Sequence, residues 1–583
     1  MNEDINPQII DDANIPHNEY PRPQLAREDW LCLNGWYDYA ITENIEELPK
    51  EYEGKILVPF SIETPLSGVG KSLLPGQRLW YRRFFELNKS FKGKRTILHF
   101  GAVDWLCKVY INGQMAGGHS GGYSPFSIDI SDFLVDDENE LVVRVYDPTD
   151  CGEQPRGKQV LKPHGLWYTA TSGIWQTVWL EPVSPTHISS LKLTPYLDKS
   201  TINIKTYVNS ENPVLVVATI EGKGINKQVK IIGKDEDLDI TDLRPWSPED
   251  PFLYDLTLEL LDASGLPLDK VKSYFGMRKF SIANDERGLP RLFLNNKPYF
   301  HNGLLDQGYW AEGGLTAPDD DALVYDIQKS KELGFNMLRK HIKVESLRWY
   351  YHCDRLGMLV WQDMISGGAY IGNMMAGALP LFGINVNDNK YKLFKRLNKE
   401  MRDDFKKELF EMIDNLYNCV SLACWVPFNE GWGQFDAKEI AFKVKEYDST
   451  RHVDHASGWH DQKGPDFKSV HRYILPVKMP KADGRPFVLS EFGGYSMIEK
   501  GHTYNEKKAF GYRMFKDKES LTKAYKKLFE KQIIPLIDKG LSACVYTQVS
   551  DVENEVNGVF THDRALIKLD EETLKALNRK MTF

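Results

Sequence analysis

Two glutamates stand where their chemistry would be exposed. Glu430 closes the apolar run CWVPFNE and is followed by Gly431 and Trp432, and Glu491 closes VLSEFGG with Gly493 and Gly494 behind it. A charged residue at the tip of a dry strand is costly unless it is used. Two such carboxylates suit cleavage of a glycosidic bond: one carboxyl stays protonated to donate to the leaving oxygen, and the other stays ionised as nucleophile or base. Trp310, Trp361, Trp425, Trp432, Trp459, Tyr473 and Tyr546 belong to the same half of the chain. Each can either stack on the apolar face of a sugar ring or fill a core.

The surrounding elements must hold the pair at strand ends. From about Met277 onward, strand-like runs such as Gly357 to Trp361, Val420 to Phe428 and Phe487 to Phe492 alternate with amphipathic helices. Asp319 to Leu333 has an acidic start, helical spacing of Leu323, Ile327 and Leu333, and Gly334 as a stop signal. Alternation over residues 277–583 predicts an eight-stranded (β/α)8 TIM barrel, whose chemistry sits where strands end. Residues 1–183 read as short strands between Gly, Pro and Asp clusters, a jelly-roll β-sandwich, and 184–276 as an immunoglobulin-like β-sandwich.

Composition narrows the class. The 583 residues carry 82 acidic and 73 basic side chains, 42% are hydrophobic and 12% aromatic. Disorder does not fit that hydrophobic content, and nucleic-acid binding does not fit the mild acidity. No run of about 18 apolar residues is free of charge, so no membrane span is expected. The seven cysteines are scattered without a CxxC spacing, which predicts neither disulfides nor a zinc site. Met1 to Tyr20 has no basic and apolar leader pattern, and a cytoplasmic location is the expectation.

The ordered motifs resemble glycoside hydrolase family 2, the family of β-galactosidases, β-glucuronidases and β-mannosidases. They run from WYRRFFEL (Trp80 to Leu87), AVDWLCKVYINGQMAGGHSGGYSPFSIDI and SGIWQTVWLEP through WSPEDPFLYDL to NNKPYFHNG, ELGFNMLRKH, CDRLGMLVWQD, WVPFNEGW and SEFGGY. The resemblance implies a retaining mechanism, with Glu430 as acid/base, Asn429 as donor to the sugar 2-hydroxyl and Glu491 as nucleophile. It also implies that Arg339 lies near the nucleophile and that Tyr473 hydrogen-bonds it. Retention requires carboxyl groups about 5–5.5 Å apart.

Departures from the family pattern bear on the sugar. The best-known members follow the arginine with Ser-His-Tyr-Pro, whereas here the chain reads Arg339-Lys340-His341-Ile342-Lys343. Either the lysines point into helices and solvent, or one of these cations meets a substrate carboxylate and the sugar is a uronic acid such as galacturonide. The Asn-x-Lys motif of ordinary β-glucuronidases is replaced by Glu555-Val556-Asn557. Asp306 and His341 are candidate hydroxyl readers, and Tyr546 takes the place of a family tryptophan. No Glu and His ligand pair follows VWQDM, so no metal and no cofactor are expected. Glu430 and Glu491 are 61 residues apart, so the barrel units between them must be short.

The leading expectation is an exo-acting retaining β-glycosidase for a terminal galactose-configured sugar. A β-uronidase using the Arg339, Lys340 and Lys343 cluster is the alternative, and a non-catalytic carbohydrate-binding protein the third. A small glycoside or an oligosaccharide end is the expected partner. Membrane and nucleic acid are not, and family analogy suggests a homo-oligomer.

Overall fold

The computed structural model describes residues 15–583 apart from 44–45, 210–213, 223–224, 232–234 and 373. The first sandwich packs a six-stranded antiparallel sheet on a four-stranded one. The larger sheet runs in the order Gly54–Val58, Gly35–Glu43, Gln77–Phe85, Asn139–Tyr146, Leu106–Ile111 and Gln114–Ser120. The smaller runs Leu31–Cys32, Val178–Val183, Arg95–Phe100 and Phe126–Asp129. In Leu106–Ile111 the side chains alternate between buried and more open, and Cys107, Val109 and Ile111 join Leu79, Tyr81, Leu98, Val143 and Leu180 in one core.

The second sandwich pairs Ile188–Tyr196, Thr201–Val208 and Asp235–Asp239 against Ile225–Ile231, Leu215–Gly222, Tyr254–Leu261 and Pro267–Phe275. Alternation along Tyr254–Leu261 turns Leu256, Leu258 and Leu260 inward. A small sheet of Phe280–Asn284, Pro290–Leu294 and Lys297–Pro298 follows. It plugs the N-terminal end of the barrel: Leu292 and Leu294 share a cluster with Leu305, Met337 and Trp361. Arg291 donates to the carbonyls of Ile537 and Leu541 at 2.7 and 2.8 Å.

Eight parallel strands form the barrel: β1 (His301–Asp306), β2 (Met337–Lys340), β3 (Leu359–Asp363), β4 (Leu422–Val426), β5 (His452–Val453), β6 (Lys468–Arg472), β7 (Phe487–Gly493) and β8 (Leu541–Thr547). The ladder runs from β5 through β4, β3, β2, β1, β8 and β7 to β6. Side chains bridge the remaining seam, where Ser469 Oγ donates to Asp454 at 2.8 Å and accepts from the Gly458 amide at 3.4 Å. Helix α1 (Asp320–Glu332) begins where its carboxylate cap predicts, with Asp319 accepting from the Ala322 amide, and Gly334 follows at φ +90°.

Helices α2 (Leu347–Leu356), α3 (Lys399–Leu416) and α4 (Ala437–Tyr447) follow β2, β3 and β4, and α5 (Lys518–Leu528) and α6 (Glu571–Asn578) cover the end of the chain. No described helix lies between β5 and β6 or between β6 and β7. Those two missing helices account for the short interval between Glu430 and Glu491. Among the described residues no helix is long and apolar enough to cross a membrane.

Candidate active site

Both glutamates sit at the C-terminal ends of barrel strands, and the local backbone is built to present them. Beyond β4 the chain stays extended long enough for Asn429 to bridge Ser457, and the Glu430 amide donates to the Ser457 carbonyl at 3.0 Å. Glu430 itself adopts φ +53°, a left-handed conformation that costs a residue with a Cβ about 1–3 kcal/mol. That cost is carried where a side chain must be aimed away from the strand path. Glu491 lies within β7 and is buried, and Gly493 turns the strand at φ +89° two residues later.

The two carboxylates face each other across a histidine. One oxygen of Glu430, one of Glu491 and a His471 ring nitrogen all lie within 4.8 Å of one another. His471 Nδ1 is 2.8 Å from Glu430, and Nε2 is 3.6 Å from Glu491 and 3.0 Å from Ser457 Oγ. Arg339, fully buried, divides its guanidinium among Asp363 at 2.9 and 3.0 Å, Glu491 at 3.1 Å, the Ser490 carbonyl at 3.0 Å and Asn429 Oδ1 at 2.8 Å. Because arginine only donates, the Asn429 amide oxygen is fixed toward it and the amide nitrogen is turned the other way. Tyr473 donates to Glu491 and lies 3.0 Å from Thr547 Oγ1.

These surroundings separate the two carboxyl groups electrostatically. Burial and the charge of Glu491 raise Glu430 above the usual range, with His471 offsetting part of the effect. Burial alone would also raise Glu491, but the charges of His471 and Arg339 outweigh it and bring it down to about 2. One carboxyl therefore keeps its proton more readily than the other, as acid and nucleophile roles demand. Burial and the charge of Lys158 push His341 well below the ordinary imidazole range. Its Nδ1 meets Asp363 at 2.7 Å.

A cleft of about 470 Å³ opens above Glu430 and Asn429. Its walls include Trp459 and Tyr473, Trp167 from the first sandwich, Trp432, Phe510 and Tyr512. Trp167 meets Trp432 edge-on with centroids 4.6 Å apart, and Tyr512 stacks on Tyr473 at 4.1 Å. About a quarter of the Glu430 side chain is open to this cleft.

Several expected readers lie elsewhere. Tyr546 is 1% exposed and packs against Phe492, Tyr525 and Phe529, so it presents no face to a sugar. Trp361 is buried in the barrel over Phe467, Trp425 donates to Asp448, and Trp310 lies under Arg564. Asp306 is also withdrawn, since it holds Lys340 at 2.7 Å and the Gly308 amide at 2.9 Å. Lys340, 1% exposed, adds Glu345 at 3.3 Å and lies over the Trp349 ring. Lys343 is equally buried and donates to Glu345 and to the carbonyls of Gly308 and Leu315. Neither lysine reaches the cleft wall.

His471 is the main residue that motif reading passed over. The string VHRY contains the needed signal, because residues two apart on a strand share a face and the family resemblance puts Tyr473 beside Glu491. Trp167 and Lys158 carried no comparable signal, since only the docking of the first sandwich brings them over the barrel.

A barrel with paired strand-end carboxylates, preceded by two sandwiches, defines a glycoside-hydrolase architecture. Family models match all three parts: the sugar binding domain of glycosyl hydrolases family 2 over residues 62–182, the middle family 2 domain over 186–278 and its TIM barrel domain over 289–576. The chain belongs to glycosyl hydrolases family 2.

Among curated relatives, a β-galactosidase of Thermoanaerobacter pseudethanolicus is 28% identical over 315 residues, 50% of this chain and 40% of that protein. A putative β-glucuronidase of Formosa agariphila is 26% identical over 61% of this chain and 41% of that protein. The chain thus spans about two-fifths of the length of these relatives. Among solved structures, a β-glucuronidase of Ruminococcus gnavus superposes with TM-score 0.74 at 18% identity, covering 97% of this chain and 99% of that one. A β-galacturonidase of Eisenbergiella tayi gives 0.70 at 19%, covering 96% and 98%.

Proposed function

We propose that this protein is an exo-acting, retaining β-glycosidase that removes a terminal galactose-configured sugar. The observation that carries this reading is the close approach of Glu430 and Glu491, with oxygens within 4.8 Å and opposed protonation preferences. That separation suits a nucleophile in direct reach of the anomeric carbon and leaves no room for an intervening water, as inversion would need. The β-galactosidase names of several relatives support the galactose configuration.

In the first step Glu491 attacks the anomeric carbon while Glu430 gives its proton to the departing oxygen, so the glycosidic bond breaks as the ester bond forms. Arg339 and Tyr473 hold Glu491 in place, and His471 ties the acid to the nucleophile. Formation of the ester removes the Glu491 charge, which lowers Glu430 and readies it as a base. Glu430 then takes a proton from water, and the resulting hydroxide displaces Glu491. Asn429, its oxygen held by Arg339, has its amide nitrogen available to the sugar 2-hydroxyl.

The uronidase reading based on Arg339, Lys340 and Lys343 lacks support, because those cations are already paired with buried acceptors. Proton NMR of an aryl β-galactoside during turnover tests the proposal. The β-anomer should appear first and mutarotate later; initial release of the α-anomer, or no cleavage of any aryl β-glycoside, would overturn it.

A further inference from the structure

One cation in the cleft differs from those beneath it. Lys158 belongs to the first sandwich, yet its side chain lines the cleft together with Asn429, Glu430 and Trp459. The segment carrying it is stitched to the barrel. The amides of Arg156 and Gly157 both donate to the Ser366 carbonyl at 3.0 Å, Pro155 bridges Gly367, and Arg156 donates to the Gly368 carbonyl at 3.0 Å. On its other side the Lys158 carbonyl accepts from the Tyr168 amide at 3.0 Å. The backbone is therefore pinned on both flanks, which places the amine reproducibly.

Lys158 has no ion pair or side-chain hydrogen bond among the described residues, and its amine lies 5.6 Å from the centroid of the Tyr168 ring. Arg339, Lys340 and Lys343 are by contrast all bound to carboxylates. Lys158 is half-buried as a residue, and its amine is left without the anionic partner that the other cations of this region possess. Its relation to the acid is given by the cleft wall that it shares with Asn429 and Glu430. Among charged groups, Lys158 has the largest effect on His341, which stands 4.0 Å from Glu491, and it acts on Glu430 as well. Lys158 thus faces the same cleft into which the Glu430 side chain opens.

We propose that Lys158 is a specificity-determining residue that receives an anionic substituent of the terminal sugar. This inference rests on the glycosidase reading above. The shared chemistry is a negative oxygen group carried on the hexose, either a C5 carboxylate or a sulfate ester at O6. The half-buried setting makes the contact a charge-assisted hydrogen bond, and a neutral sugar leaves the amine unpaired. The reader of the anion would then be supplied by the sandwich domain and not by the barrel that carries the catalysis.

The test compares kcat/KM for aryl β-galactoside, aryl β-galacturonide and aryl 6-sulfo-β-galactoside in the wild type, Lys158→Met and Lys158→Arg. Calorimetry of galacturonate and galactose binding to the same three proteins runs alongside. At least one anionic substrate should be preferred over the neutral one by roughly tenfold or more, the preference should collapse in Lys158→Met, and Lys158→Arg should restore part of it. Preference for the galacturonide alone identifies a carboxylate site, and preference for the sulfated sugar alone identifies a sulfate site. An unchanged anionic-to-neutral ratio in Lys158→Met, or a wild type that favours the neutral sugar, overturns the proposal. If no glycoside is turned over, the glycosidase reading fails, and the calorimetric preference for galacturonate still decides the role of Lys158.

Discussion

His471 Nδ1 stands 2.8 Å from a carboxylate oxygen of Glu430, while the opposite nitrogen of the same ring is turned toward Glu491. The ring lowers both carboxyl groups, by hydrogen bond and charge at Glu430 and by charge at Glu491. In the proposed mechanism turnover needs Glu491 ionised and Glu430 protonated, so Glu491 would set the acidic limb of the pH profile and Glu430 the alkaline limb. His471→Phe keeps a flat aromatic ring and removes both nitrogens. Both limbs of kcat/KM against pH should move to higher pH together. Movement of one limb alone, or a profile that keeps its position and only loses height, would mean that the ring does not couple the two carboxyls.

Glu491→Gln should abolish turnover and should also change the acid. The charge of Glu491 is the largest influence after burial that raises Glu430. With that charge gone, Glu430 should titrate at lower pH than in the wild type, which carbon NMR of labelled glutamate reads directly. An unmoved Glu430 would place its elevation in burial alone.

Glu430→Gln leaves the nucleophile and removes the proton donor. Substrates with poor leaving groups should lose about 10²–10⁴-fold in kcat, whereas activated aryl glycosides should lose least in the first step. Equal losses across a leaving-group series would assign the proton transfer to another residue.

How much of this was legible in the sequence differs by residue. Strand-end glutamates followed by glycine stand out, because buried charge next to a turn has few structural uses, and the family resemblance puts Arg339 and Tyr473 beside Glu491, where both are found. The interval between Glu430 and Glu491 also encodes the two absent helices. The lysines of Arg339-Lys340-His341-Ile342-Lys343 could not be read this way. Whether a cation faces substrate or a buried acid depends on Asp306 and Glu345, whose relation to it is set by barrel closure. Tyr546 sits on the expected strand, but the packing of Phe492, Tyr525 and Phe529 turns its ring into the core. Lys158 depends on how two domains dock, which periodicity and local motifs do not record.

The pairing of Lys340 leads to a stability prediction. Its amine contacts Asp306 at 2.7 Å and Glu345 at 3.3 Å in full burial. Lys340→Met should cost about 3–5 kcal/mol in urea unfolding, because Asp306 is left buried without its cation. The ratio of activities on anionic and neutral sugars should stay as in the wild type. A stable Lys340→Met protein that loses an anionic preference would return the carboxylate reader to the barrel.

The turn behind Glu491 can be separated into strain and contact. Gly493 has φ +89°, and a Cβ there would stand 2.2 Å from the Tyr546 ring. Gly484 has the same φ of +89°, and a Cβ there would meet nothing within 4 Å. Gly484→Ala therefore reports the backbone term by itself, about 1–2 kcal/mol of stability, and should leave turnover intact because it lies on the exposed approach to β7. Gly493→Ala adds a collision that is relieved only by displacing Tyr546 or the strand that carries Glu491. A displacement near 1 Å is enough to lower kcat by about 10²-fold. Gly493→Ala with Tyr546→Ala removes the colliding ring, and recovery of kcat in the pair would show that β7 had been pushed. Absence of recovery would place the effect in the backbone conformation of Gly493 itself.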